Sequence, residues 1–204
     1  MMRLRLFDIE FKISFLLVSV FALIAVFDRE CKLFICFLSA FLHELGHIFA
    51  MCKNNCKPKS IICNLFDIKI IDNKRVLTSF KANLIIILSG VIVNFSVAVI
   101  AYILFYFSEL EVFFTVASVN LLMGIFNLLP VSNLDGGQTL YLILSRKLSF
   151  ETADKIIDVL TILLIQPTAV FGFIILFNSK YNFSLLLVSI YLIISLVLKK
   201  SKFY

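Results

Sequence analysis

Little of this chain is charged. Asp, Glu, Lys and Arg make up 16% of its 204 residues, while 61% are hydrophobic and the apolar residues come in long blocks, so the solvent around the fold has to be settled before its domains. Nothing outside those blocks is long enough for a separate globular domain: the longest interval, Lys53 to Asn83, has 31 residues. No internal repeat is visible. No small-residue cleavage pattern follows the first apolar run, which continues into Phe27-Asp28-Arg29-Glu30; that run is expected to be a retained helix rather than a signal peptide. The five cysteines (Cys31, Cys36, Cys52, Cys56, Cys63) do not make a disulfide framework, because Cys36 falls within an apolar block and the last three lie at or beyond an end expected to face the reducing cytoplasm. Cys52 and Cys56 are four apart but have no histidine beside them, a weak metal signal.

A block of about 18 apolar residues is long enough to cross a bilayer core as a helix. Five blocks meet that length: Leu33 to Cys52, Leu84 to Phe107, Val112 to Pro130, Val159 to Phe177 and Tyr181 to Leu198. Ile13 to Phe27 is shorter, with Lys12 able to snorkel at its margin. The expectation is therefore an all-α integral membrane protein of about six spans, forming a single membrane-embedded domain over 1–204. Net charge is +6, which raises nucleic acid as a partner, but placement argues otherwise. Of the 19 Lys and Arg, sixteen fall on the N-terminus, Lys53 to Lys81, Val131 to Asp158 and the tail, against three on the alternate loops. By the positive-inside rule both termini are expected in the cytoplasm, with the lipid bilayer as partner and no nucleic acid. Within the long loop, KSIICNLFDIKIIDNKRV (Lys59 to Val76) suggests a short β-hairpin at the cytoplasmic face with its turn at Asp72-Asn73. An edge strand there would accept an extended peptide; a loop covering the helix ends is the ordinary alternative.

The second of the six expected spans, Leu33 to Cys52, contains Leu42-His43-Glu44-Leu45-Gly46-His47. Residues four apart share a helix face, so His43 and His47 present two imidazoles to one point and Glu44 sits on the adjoining edge. Two nitrogen ligands and a carboxylate that takes a proton from water are the parts of a hydrolytic zinc site. Chance assembly of this pattern from so few His and Glu is on the order of three in ten thousand chains. Ionisable groups in hydrocarbon cost at least about 2.5 kcal/mol each and are kept where they pair or line a cavity. There is no third histidine, so a catalytic zinc needs Cys, Asp or Glu as its next ligand. Between Glu111 and Glu151 the only acidic residue is Asp135. It follows the fourth span on the same expected side as the end of the second; a turn role beside Gly136-Gly137 is the competing reading.

Three motifs in order carry a resemblance to the site-2 protease family of intramembrane metalloproteases: His43-Glu44-Leu45-Gly46-His47, Ser89-Gly90-Val91-Ile92-Val93-Asn94, and Asn127-Leu128-Leu129-Pro130 leading into Leu134-Asp135-Gly136. The similarity spans about residues 33 to 145. It implies one Zn2+ per chain on His43, His47 and Asp135, Glu44 as general base, close packing at Gly90 and Asn94, and substrate positioning by Asn127, Asn94 and Pro130. Six spans with cytoplasmic ends resemble the sporulation-type branch, which matures a membrane-tethered sigma factor, although no nucleotide-sensing domain is expected after Tyr204. Ordinary helix packing by Gly90 and Asn94 is the alternative, and Gln166-Pro167 suggests a kink in the fifth span.

The expected activity is a metalloendopeptidase that cuts a membrane-associated or transmembrane protein near the cytoplasmic side, with regulatory membrane proteins as further partners. A divalent-metal transporter would want ligands on several helices and repeat symmetry. A silent membrane scaffold would not need Glu44.

Overall fold

The computed structural model describes residues 2–6, 9–15, 19–20, 28, 31–56, 60–63, 68–71, 79–179, 187–190 and 192–193. They are mostly helical: α1 Lys32–Lys53, α2 Phe80–Ser108, α3 Glu111–Asn127, α4 Asp135–Leu144 and α5 Phe150–Ser179. Four short strands accompany them, β1 Met2–Leu6, β2 Ile9–Ile13, β3 Ser60–Cys63 and β4 Ile68–Ile71. The chain divides into two compact units, Met1–Phe126 and Asn127–Tyr204.

In the first unit the strands form one sheet in the order β1-β2-β3-β4, more strand than the small hairpin expected beside the helices. The segments MRLRL and IEFKI alternate charged and apolar residues with the period of a pleated strand. Their arginines and lysine invite a reading as the basic flank of a membrane helix. β1 and β2 pair antiparallel, β2 and β3 parallel with Glu10 opposite Ser60, and β3 and β4 antiparallel with Cys63 opposite Ile68. The parallel pair needs a long crossover, which contains α1. β4 ends at Ile71, and the turn expected at Asp72-Asn73 lies outside the described residues.

Helix α1 opens with Asp28 Oδ2 accepting from the Phe34 amide at 2.9 Å. It closes on Asn55 in the left-handed region (φ 59°), with the Cys56 amide returning to the Met51 carbonyl at 2.9 Å, a helix stop that Asn tolerates. Ser79 caps α2, its hydroxyl accepting from Ala82 N at 3.2 Å. α1 and α2 run antiparallel and very close. A Cβ added at Gly46 would lie 2.9 Å from the Ser89 carbonyl oxygen and from Val93, a small-residue contact of the kind that lets membrane helices approach.

The burial pattern is inverted relative to a water-soluble bundle. α1 buries Ser39, His43, Gly46 and His47 while leaving Leu38, Phe41, Leu45 and Phe49 exposed, and α3 buries Ala117, Asn120 and Gly124 while exposing Phe114, Leu121, Leu122 and Ile125. Such a stripe of large apolar side chains turned outward is stable only where the solvent is itself apolar. Among the described residues three helices are long and apolar enough to cross a membrane, Lys32–Lys53, Phe80–Ser108 and Phe150–Ile174; α3, with 17 residues, is apolar but shorter. Most of the expected first span, Ile13 to Phe27, and of the last, Tyr181 to Leu198, lies outside the described residues, and Ile13 itself belongs to β2.

In the second unit the polar stretch after Ser149 and the fifth expected span are one helix, α5, of 30 residues with Pro167 inside it. Pro167 has no amide to donate. Next to it, Thr168 Oγ1 donates toward the Leu164 and Ile165 carbonyls at 3.1 and 2.8 Å, so nearby backbone acceptors are satisfied internally.

Candidate metal centre

Both imidazoles sit on α1, buried, with 6% and 9% of their surface exposed for His43 and His47. His47 Nδ1 lies 2.8 Å from the Ile86 carbonyl oxygen. A carbonyl can only accept, so this nitrogen carries the proton. His43 Nδ1 lies 2.5 Å from Asn94 Oδ1 and donates likewise. In neutral imidazoles so oriented the Nε2 atoms are the ones able to accept or to bind a cation, and they face one another at 3.1 Å. Two lone pairs at that separation repel unless a cation lies between or beside them. Two nitrogens bonded about 2.0–2.1 Å from one zinc come to lie roughly 3 to 3.5 Å apart, so the spacing fits a shared ion.

The space beside them is kept open by Gly90. A Cβ there would fall 2.5 Å from His47 Nε2 and 2.7 Å from His43 Nε2, inside the volume in which a ligand to both nitrogens must sit. Glycine is thus required where α2 passes the imidazoles, a stronger demand than helix approach alone. Glu44, next along α1, is half-buried.

Asn94 is wholly buried (0% exposed) and donates through Nδ2 to Asn120 Oδ1 at 3.0 Å. Asn120 in turn donates to Ser39 Oγ and to the Val116 carbonyl, both at 2.9 Å. Neither Asn120 nor Ser39 stands out in the sequence reading. The available signal was an amide in the middle of an apolar helix and a hydroxyl one turn before His43, each expensive in hydrocarbon unless it has a partner.

In the second unit Asp135 is the first residue of α4 and is buried, 7% exposed. Its position follows from its neighbours. A Cβ on Gly136 would meet the Leu128 carbonyl oxygen at 2.0 Å, and one on Gly137 would meet the Val131 carbonyl oxygen at 2.0 Å, so only two glycines allow the first turn of α4 to lie on the backbone that leads into it. That backbone is tied to α5, with Ser132 N donating to Thr161 Oγ1 at 3.2 Å. Asn127 ends α3 half-buried, and Pro130 lies in the non-helical segment that follows. Cys52 and Cys56 join no metal-holding group among the described residues; the Cys56 thiol donates to the Asn54 carbonyl at 3.3 Å.

Buried, paired histidines with an adjacent glutamate on outward-apolar helices are the parts that a membrane metallohydrolase site would use. Comparison with known proteins agrees. Residues 107–166 match Peptidase family M50. Over 126 residues, 59% of this chain, the sequence is 29% identical to a zinc metalloprotease of Methanocaldococcus jannaschii; the match covers 36% of that relative, so the chain spans about a third of its length. The structure of a site-2 protease from Methanocaldococcus jannaschii superposes with a TM-score of 0.69 at 25% identity, covering 96% of this chain and 93% of that one. The chain is thus similar, over the stretches matched, to the M50 peptidases and to a site-2 protease of known structure.

Proposed function

We propose that this protein is a zinc-dependent intramembrane endopeptidase in which His43, His47 and Asp135 hold the metal and Glu44 is the general base. The observation that carries the reading is the buried imidazole pair: the Nε2 atoms of His43 and His47 face one another at 3.1 Å beside the space that Gly90 leaves open, with Asp135 the third ligand that the motif resemblance implies. Two neutral imidazoles and one carboxylate are a set that zinc accepts with a position left for water. Bound there, zinc would polarise the scissile carbonyl and lower the pKa of water toward about 7.

The remaining work falls to the chain. Glu44 takes the proton from the attacking water and returns it to the leaving amine. Asn127 and Pro130 lie where a helix has ended, and backbone freed from helical bonding can line a cavity and read an extended substrate. A substrate helix must unwind first, because its carbonyls are occupied by its own hydrogen bonds. The donors stand near one end of α1: His47 is six residues from Lys53, roughly 9 Å along the axis, which with the basic loop beyond supports cleavage close to the cytoplasmic side. The substrate class is a membrane-tethered or transmembrane protein, and a sporulation sigma-factor precursor is the member that the motif resemblance names.

Co-expression with a membrane-tethered reporter tests the reading. The expected result is cleavage that is lost on chelation and in His43→Ala. Zinc flux across vesicles without cleavage would favour a transporter and overturn it.

A further inference from the structure

A buried amide costs stability unless its donors and acceptor are met, and Asn120, in the middle of α3 and 1% exposed, meets them in a directed way. Its Nδ2 points at the Val116 carbonyl and at Ser39 Oγ, each 2.9 Å away. Because a backbone carbonyl can only accept, this contact determines which end of the Asn120 amide is nitrogen. The oxygen must then face Asn94, whose Nδ2 donates to it at 3.0 Å. Asn94 is thereby turned so that its own oxygen faces His43 Nδ1.

We propose that Asn120 is a positioning residue for the metal centre, relaying the polarity of the Val116 carbonyl through Asn94 to decide which nitrogen of His43 is offered to the ion. The two histidines are oriented by the same device at different lengths. His47 takes its acceptor directly from the Ile86 carbonyl at 2.8 Å, whereas His43 lies opposite α2 and α3 side chains and receives its carbonyl at second hand. The relay matters because an amide is nearly symmetric in shape. Released from Asn120, Asn94 can rotate its amide and present NH2 to His43 Nδ1. That nitrogen would then accept, and the proton would move to Nε2, the atom that must be bare to bind a metal.

This inference rests on His43 being a ligand, and the experiment separates the two claims. The full chain is purified in detergent, loaded with cobalt(II), and titrated with a chelator while the cobalt absorption is followed. Loss of an outer-shell partner typically weakens metal affinity about 10- to 100-fold, and Asn120→Leu is expected to fall in that range. Adding Asn94→Asp should restore most of the loss, because a carboxylate accepts from His43 Nδ1 whatever stands at 120. A lost packing contact would not be restored in this way. Unchanged affinity in Asn120→Leu, or a loss that Asn94→Asp leaves in place, overturns the relay. Nitrogen-15 NMR of the unaltered, metal-free protein, at a pH where both imidazoles are neutral, decides independently of whether the variants fold: His43 protonated on Nδ1 supports the relay and protonation on Nε2 refutes it. Wild-type protein that takes up no cobalt would sink the metal reading itself, leaving the tautomer to judge the relay.

Discussion

At the scale of single residues, Glu44 and Gly90 separate chemistry from metal binding. Glu44→Gln keeps size and hydrogen-bonding shape and introduces no charge. It should retain near-normal zinc per protein while cleavage of a tethered substrate falls by at least about 10²-fold, the lower end of what general acid and base help contributes. Near-normal cleavage on the same preparation would remove Glu44 from the mechanism. Gly90→Ala predicts the opposite separation. Its methyl would stand 2.5 and 2.7 Å from the two Nε2 atoms, so zinc content should drop at least about tenfold as the imidazoles are pushed off a shared ion. Gly124→Ala is the control, since its Cβ meets only the edge of the Phe95 ring at 2.9 Å, and it should keep its zinc. His43, Glu44 and His47 were legible because helical spacing alone puts them together. Asn94 was picked out by the second motif, but for packing or substrate positioning rather than as a partner of His43. Ser39 and Asn120, 81 positions apart, were not, because nothing local marks a hydrogen bond between helices.

At the scale of elements, the short helix α4 shows how Asp135, the proposed third ligand, is placed by what its neighbours lack. Asp135 begins that helix, and Gly136 and Gly137 lie against the carbonyls of Leu128 and Val131 with no room for a side chain. Gly136→Ala should shift the first turn of α4 by roughly an ångström or more, because the obstacle is backbone rather than a movable side chain. We expect a fall in thermal stability together with reduced zinc retention. Asp135→Asn should lower retention with little change in melting temperature, since it removes the anionic ligand and leaves the backbone alone. Equal zinc in both variants and wild type would return Asp135 to a turn-forming role. The glycine pair was read from sequence as a turn signal; its steric purpose depends on which carbonyls it meets and was not readable there. The sheet was missed for a similar reason. MRLRL has a strand's alternation, but beside a long apolar run its arginines read equally well as a membrane flank, and the parallel partner at Ser60–Cys63 is remote in sequence.

At the scale of the whole molecule, orientation follows from charge and from the antiparallel run of α1 and α2. Helix α1 ends at Lys53 and α2 begins at Phe80 with Lys81 beside it, so the end of one and the start of the other lie on one side of the bilayer, with the basic loop between them. The far end of α2 passes to α3 through Glu109 and Leu110, an interval without Lys or Arg, and Tyr106 and Phe107 are exposed there, as expected of aromatic side chains at an interface. Sixteen basic residues against three on the two sets of loops of the six-span layout predict, by the same rule, a cytoplasmic Lys53 side. We therefore expect a reporter active only in the cytoplasm to work when fused after Lys53, and one active only outside the cell to work when fused at Glu109. Moving the balance should move the topology: replacing Lys57, Lys59, Lys74 and Arg75 with Gln takes four of the seven charges from that loop and should give a mixed population. A reporter active outside the cell after Lys53 in the unaltered protein would invert the proposed orientation, and would place the metal-binding end of α1 away from the cytoplasmic side on which the cleaved bond is argued to lie.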